Sequence, residues 1–326
     1  MLDRSRLDAA LAHTLIGSDL AFPGVVHGKV RDGFDLPNGV RLLVASDRIS
    51  AFDHELGTIP FKGQILTAFC DHWFTRIDGV IPHHYLGRVD PTAMACVKCE
   101  PLPVEFVVRA YATGTTGTSL WTAYEQGARS FCGHVLPEGL RKHERLEGPI
   151  LTPTTKAPKG HHDEGISRAD ILARGLLDAA TFDAAEAMVL ELFRLGSADC
   201  AKQGLLLVDT KYELGRRPDG TLVVIDEIHT PDSSRFWEAS TYADRLTAGE
   251  DPEPLDKDYV RRWLRSQGFF GEGTPPALSS EVRIEAALRY AKAFARITGR
   301  EFEENSEAPA GRIAKNVTAW IAAHPA

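Results

Sequence analysis

Two apolar runs joined by a tight turn constrain this chain more than any other feature. Residues 204–214 and 221–228 flank Arg216-Arg217-Pro218-Asp219-Gly220, so the stretch reads as a β-hairpin. The apolar part of the second strand, Leu222-Val223-Val224-Ile225, ends in two adjacent carboxylates, Asp226 and Glu227. His229-Thr230-Pro231-Asp232-Ser233-Ser234-Arg235 follows. Folding does not require ionised groups at the end of a core strand, and burying them is costly unless opposite charge pairs with them. A divalent cation and a phosphorylated ligand would supply both signs, so the segment is a candidate site for phosphate chemistry.

Side chains alternate along a strand, which places Asp209, Lys211 and Glu213 on one face and Val208, Thr210 and Tyr212 on the other. The paired strand brings Asp226 and Glu227 close to that polar face. Glu213 and Asp226 are therefore candidate oxygen ligands for Mg²⁺, which shares its shell with substrate phosphates. A cross-strand ladder of salt bridges on an exposed face fits the same spacing, and the residues alone leave both readings open.

The rest of the chain divides into blocks. Residues 1–20 read as a short amphipathic helix, and 24–60 as strands and turns with a hairpin turn at Pro37-Asn38-Gly39. Ile65, Leu66, Phe69, Trp73, Phe74 and Ile77 recur at helical spacing over 63–77. Strands at 94–99 and 104–111 are expected on either side of a Pro101-Leu102-Pro103 turn, and a helix over 120–126. A long helix is predicted over 181–202, capped near Thr181 or Asp183. Three helices are expected in the tail, at about 256–267, 280–298 and 311–323. Strands precede helices without regular βαβ alternation, so the class is α+β. We expect an N-terminal unit over 1–112, a central unit over 113–245 and a C-terminal helical segment over 246–326.

Several loops carry further candidates. Gly28-Lys29-Val30-Arg31-Asp32-Gly33 brackets two cations between glycines, which suits a polyphosphate or an ordinary charged hairpin; it is not a Walker A loop. Asp47 and Arg48, in Ser46-Asp47-Arg48-Ile49-Ser50-Ala51-Phe52-Asp53, serve equally as backbone caps or ligand contacts. Arg109 precedes the hydroxyl-rich loop Thr113-Gly114-Thr115-Thr116-Gly117-Thr118-Ser119, a combination that could cradle a phosphomonoester. The loop 152–167 contains Thr152-Pro153-Thr154-Thr155-Lys156 and His161-His162-Asp163-Glu164 and is polar enough to close over a ligand. Neighbouring histidines point apart, which weakens a metal reading there. Cys96-Val97-Lys98-Cys99 lacks the second ligand pair of a zinc site and reads as two ordinary thiols.

Composition narrows the function classes. With 326 residues, 43% of them apolar, the chain can bury a sizeable core. Its net charge of −8 and the absence of a basic stripe give no support for nucleic-acid binding. No apolar run approaches the roughly 20 residues of a membrane helix. Five scattered cysteines suggest a reducing compartment, so a cytoplasmic location is expected.

Taken in order, these segments resemble the SAICAR synthetase (phosphoribosylaminoimidazole-succinocarboxamide synthase) family, in its longer form. The resemblance spans most of 24–265. It rests on GKVRD (28–32), SDRISAFD (46–53), PFKGQILT (60–67), VVRAYATG (107–114), TPTTKA (152–157), HHDEGIS (161–167), DTKYELG (209–215) and DEIHTPDSSRFW (226–237). Departures are modest: Thr154 stands where Ser is frequent, Gly165 where Asn is frequent, and Thr115 where some members have Ser.

The resemblance implies an α+β fold of the SAICAR synthase kind. Its N-terminal antiparallel sheet is similar to those of protein kinases and ATP-grasp enzymes, and a second α+β unit faces it across a nucleotide cleft. It implies an ATP-dependent ligase joining L-aspartate to carboxyaminoimidazole ribonucleotide (CAIR), acting as a monomer rather than a dimer. Carried over to this chain, Gly28, Lys29, Val30 and Arg31 would hold ATP, and Glu213 and Asp226 would hold Mg²⁺. Arg109, Ser119, Asp232 and Arg235 would bind the ribonucleotide, with Asp47 and Arg48 as further substrate contacts. Lys211, Asp209 and Arg235 would be the catalytic group, Lys211 and Asp209 beside the imidazole and its carboxylate. A kinase-like phosphotransferase is the alternative, but the kinase catalytic-loop and metal-binding signatures are missing. A silent nucleotide-binding protein would not need charged residues in every motif.

Overall fold

The computed structural model describes residues 2–52, 54–156, 163–255 and 258–325. Asp53 and Ala157, His161 and His162, and the expected helix start at 256–257 lie outside the described residues. The fold is α+β, with two antiparallel sheets meeting at a cleft. In the first, the strands run in the order Val26–His27, Arg31–Leu36, Val40–Ala45, Ala93–Val97, Tyr85–Asp90. The turn at Pro37–Gly39 forms as expected, with Asn38 in the left-handed region at φ 65°. Period-two alternation sorts the two faces. Ala93 and Ala95 pack with Phe34, Leu42 and Val44 against Ile313 and Val317 of helix Pro309–Ala323. Met94 and Cys96 face the main core, which includes Phe69, Trp73 and Phe74 of helix Lys62–Ile77.

The C-terminal helices are thus split between the layers. Helix Ser280–Thr298 packs on helix Lys62–Ile77, while Pro309–Ala323 covers the opposite face of the first sheet. A buried ion pair locks the latter: Arg312 Nε lies 3.0 Å from Asp90 Oδ2, and Asn316 donates to the same oxygen at 2.7 Å.

The second sheet orders Arg145–Leu151, Glu100–Tyr111, Leu205–Arg216 and Leu222–Ile225. Strand Ser234–Glu238 pairs with the first half of Leu205–Arg216, and Thr154–Thr155 pairs with Glu100–Tyr111. Helix Ala179–Lys202 backs this sheet. Its cap is Asp178, whose carboxylate accepts from Thr181 N at 2.8 Å, and not Thr181 or Asp183.

The sequence also misleads at Pro101-Leu102-Pro103, which is not a turn but the opening of the long strand Glu100–Tyr111. On the side where Thr154–Thr155 pair, the partner reaches only to Val104, so Pro101 and Pro103 lie at a sheet edge where no donor is missed. The chain crosses from one sheet to the other at residues 98–99. Strand Glu100–Tyr111, grouped above with 1–112, therefore pairs in the second sheet. The two sheets are stitched at 82–84: Val224 N donates to Pro82 O at 3.0 Å, His84 N to Val224 O at 3.0 Å, and Val97 N to His84 O at 2.7 Å.

Candidate active site

Along that seam runs a cleft of about 1000 Å³. Gly28, Lys29, Val30 and Arg31 line it from the first sheet, and Lys211, Glu213, Asp226 and Glu227 from the second. The 28–31 turn is tight. Gly28 N donates to Arg31 O at 2.8 Å, and a Cβ on Gly28 would come within 2.9 Å of the same oxygen. Val26, Leu43, Val97 and Ile225 give the cleft an apolar lining.

The hairpin delivers its charges as the alternation predicts. Glu213 is opposite Glu105 on one neighbouring strand and Ile225 on the other, so Asp226 emerges beside it. Two carboxylates directly opposite one another repel. Lys211 Nζ bridges them, at 2.8 Å from Glu105 and 2.7 Å from Glu213. Burial works against the Lys211 charge, yet Glu213, Glu105 and Asp226 hold it above the ordinary lysine range. Burial also opposes ionisation of Glu213, but Lys211 and Lys156, the latter 2.6 Å away, hold it down at about 2. Asp226, in the left-handed region at φ 64°, pairs with Arg31 at 3.0 Å. Burial, with Glu213 and Glu227 adding, pushes its carboxyl up to about 6 against the pull of Arg31. Glu227 pairs with the other arm of the same guanidinium.

A smaller cavity of about 170 Å³ adjoins the cleft. Three strands align here so that Asp209 is the register partner of both Arg109 and Arg235. Asp209 Oδ2 accepts from Arg235 at 2.6 Å and from Arg109 at 3.3 Å. Arg109 is further fixed by Thr152 Oγ1 at 2.9 Å and Thr118 O at 3.1 Å. Two guanidiniums thus converge around one carboxylate, and hydroxyls of Thr116, Ser119, Ser233 and Ser234 line the same space. Gly114, at φ 110°, is required in this loop: a Cβ there would lie 2.4 Å from Ser119 Oγ. Thr115 turns away, its hydroxyl meeting Arg265 at 2.5 Å.

Lys211, Asp232 and Arg261 line both cavities. Asp232 is held by fully buried Lys62 at 2.7 Å and by the Tyr290 hydroxyl. Lys62, Glu105 and Arg261 have no role in the sequence reading, Lys156 appears there only within a loop expected to close over a ligand, and Glu227 only as the neighbour of Asp226. Lys62 and Lys156 lay inside quoted motifs, and a lysine directly ahead of the apolar-periodic run Ile65, Leu66, Phe69 was the available signal for Lys62. Glu105 shows itself only through the strand register.

Asp47 and Arg48 are not brought to this cleft. Asp47 accepts from Leu15 N at 2.8 Å and Gly63 N at 2.9 Å. Arg48 binds Gly28 O at 2.9 Å, Lys29 O at 3.2 Å and Asp32 Oδ1 at 2.9 Å. Arg48, buried behind the 28–31 turn, ties its backbone in place, while Asp47 ties the N-terminal segment to the start of helix Lys62–Ile77.

The SAICAR synthetase family model matches residues 24–275 of this chain. The chain belongs to the SAICAR synthetase family. A putative phosphoribosylaminoimidazole-succinocarboxamide synthase 2 of Mesorhizobium japonicum is 45% identical over 280 residues, covering 86% of this chain and 90% of that protein. The corresponding synthase of Legionella pneumophila (strain Paris) is 40% identical over 310 residues, covering 94% and 98%. Among solved structures, the Saccharomyces cerevisiae SAICAR synthase complexed with SAICAR superposes with a TM-score of 0.77 at 26% identity, covering 89% of this chain and all of that one. As a SAICAR synthetase, the chain is an ATP-dependent ligase of purine biosynthesis that joins L-aspartate to CAIR, giving SAICAR, ADP and phosphate. No helix among the described residues is long and apolar enough to cross a membrane.

Proposed function

We propose that the two adjoining cavities divide the substrates, ATP in the larger cleft and the ribonucleotide phosphate in the smaller. The observation that carries this reading is their shared wall: Lys211 stands where the two meet. Lys29 and Arg31 would neutralise the ATP phosphates, and the apolar lining would receive the base. Arg109, Arg235 and Ser119 would grip the phosphomonoester, with Ser119 favoured over the outward-turned Thr115. Asp209 would hold the two arginines parallel. In that pose Lys211 faces the substrate carboxylate.

A carboxylate does not condense with an amine in water, because its oxygen is a poor leaving group. We infer that the γ-phosphoryl group of ATP passes to the CAIR carboxylate, ADP departs, and the aspartate amine displaces phosphate from the acyl carbon. Positioning and charge neutralisation are what such a transfer demands, and Lys211, Lys29 and Arg31 supply both. With ¹⁸O in the CAIR carboxylate, one label should appear in inorganic phosphate for each amide made. Unlabelled phosphate would overturn direct activation of that carboxylate.

The donor set fits Mg²⁺. Glu213 and Asp226 present hard oxygen ligands, and a bound cation would favour the ionised form of Asp226, which burial first and then Glu213 and Glu227 oppose. No group of three His, Cys, Asp or Glu among the described residues forms a ready cage, in keeping with an ion that takes one or two carboxylates and completes its shell with substrate phosphates and water. When bound, it would screen the charge of the nucleotide phosphates. Turnover is expected to stop in excess EDTA and return with added Mg²⁺; full activity in EDTA would remove the ion from this reading.

Arg109→Ala and Arg235→Ala should weaken ribonucleotide binding by about one to two decades, since a charge-assisted hydrogen bond contributes roughly 1.5–3 kcal/mol. Affinity for ATP should change little. Separate titrations of the two ligands check this, and a larger loss for ATP would exchange the two pockets. A monomeric working unit remains the reading that the family resemblance implies, and the five free cysteines support a cytoplasmic location.

A further inference from the structure

Arg261 stands apart from the other residues common to both cavities. Lys211 is committed to Glu105 and Glu213, and Asp232 to Lys62 and Tyr290. Arg261 has no hydrogen bond or ion pair among the described residues, and its Nε is buried without a partner. A buried guanidinium nitrogen without an acceptor is costly and calls for a ligand.

Its backbone explains the aim. Arg261 lies on helix Asp258–Ser266, where Val260 and Leu264 are buried in the core. Arg261 and Arg265 are four residues apart and so share the adjoining face. Arg265 fixes that face by donating to Thr115 Oγ1 at 2.5 Å, next to the phosphate loop. The helix therefore holds the Arg261 guanidinium over the junction of the two cavities.

Two of the three substrates already have cations in the reading above, which this inference deepens and on which it rests. L-Aspartate brings two carboxylates and has none assigned. We propose that Arg261 binds a carboxylate of the incoming L-aspartate and so positions its amine at the junction where the activated carboxyl forms. A planar guanidinium matches a carboxylate in paired hydrogen bonds. Because the contact is made in both ground and transition states, its loss should raise KM for aspartate with a smaller change in kcat.

Arg261→Ala should raise the aspartate KM about 10- to 100-fold. Dissociation constants for ATP and CAIR should stay within about threefold of wild type, because neither ligand loses its own cations. Arg261→Lys should recover part of the loss, and Arg261→Gln, which keeps the bulk of the side chain, serves if the alanine variant melts early. Hydroxylamine is a nucleophile with no carboxylate. If it traps the activated carboxyl as a hydroxamate in the wild-type enzyme, Arg261→Ala should make hydroxamate at the wild-type rate. An unchanged aspartate KM, or an equal loss of ATP or CAIR affinity, would overturn the proposal. Failure of Arg109→Ala to weaken CAIR binding would instead defeat the division of the cavities, so the two failures are distinguishable.

Discussion

Asp226→Asn is expected to leave a folded protein with kcat lowered roughly 10²–10³-fold, or about 2.7–4 kcal/mol in barrier, the scale seen when one charge-stabilising group is removed from a preorganised site. The fold should survive for a backbone reason. Asp226 sits at φ 64°, a conformation that asparagine tolerates as well as aspartate. Arg31 would keep Glu227 as its partner. What is lost is a full negative charge beside Glu213, where the proposed cation would bind. Rapid-quench measurement of the first turnover, alongside a thermal melt, separates chemistry from stability. A variant as fast as wild type would remove Asp226 from the metal site.

The largest stability effect is expected far from the cleft, at Arg312. Its guanidinium and the Asp90 carboxylate are almost wholly buried, and Asp90 also accepts from Thr92 N at 2.9 Å and Thr92 Oγ1 at 2.8 Å. Arg312→Ala leaves that carboxylate without its counter-charge and frees helix Pro309–Ala323 from the first sheet. Removing one partner of a buried pair costs about 3–5 kcal/mol, a large share of the ~5–15 kcal/mol by which a domain is stable. Urea unfolding should show the loss; a change under about 1 kcal/mol would mean that the helix is held by its apolar contacts alone. Burial tends to raise the Asp90 carboxyl, but Arg312 and Thr92 outweigh it and hold it below 3.8. This contribution is therefore full at neutral pH and is lost as pH falls through that lower range. In Arg312→Ala the loss on acidification should be smaller.

How far the sequence could be read varied from element to element. The hairpin was legible because period-two alternation and a Pro-Asp-Gly turn are local signals, and its charged face followed from the same alternation. The long helix over Ala179–Lys202 was legible for a similar reason, although its cap at Asp178 lay just ahead of the residues favoured. Pro101-Leu102-Pro103 misled because a proline in a strand is acceptable only where no neighbour asks for its N–H, and that depends on where Thr154–Thr155 ends.

Asp47 and Arg48 show the limit for charged residues. As residues they suit a ligand or a backbone cap equally well, and their sequence neighbourhood does not separate the two. Packing gives both of them backbone partners: Arg48 binds carbonyls of the 28–31 turn, and Asp47 accepts from the amides of Leu15 and Gly63. Asp209 gives the converse case. Alternation set it on one face with Lys211, and the resemblance implied a place beside the imidazole; the strand register adds that it is the rung between Arg109 and Arg235.

The sequence by itself determined the secondary elements, the family and the set of ionisable groups from which a phosphate-handling site could be built, because these depend on local periodicity and on motifs contiguous in the chain. Only the tertiary structure decided which charges meet. Arg109, Asp209 and Arg235 come from three strands, Lys211 bridges Glu105 and Glu213, and Arg261 arrives on a C-terminal helix. Apart from Lys211 and Glu213, neighbours on one strand face, these are encounters between residues distant in sequence. They are set by register and by packing of the core, and no local pattern encodes them.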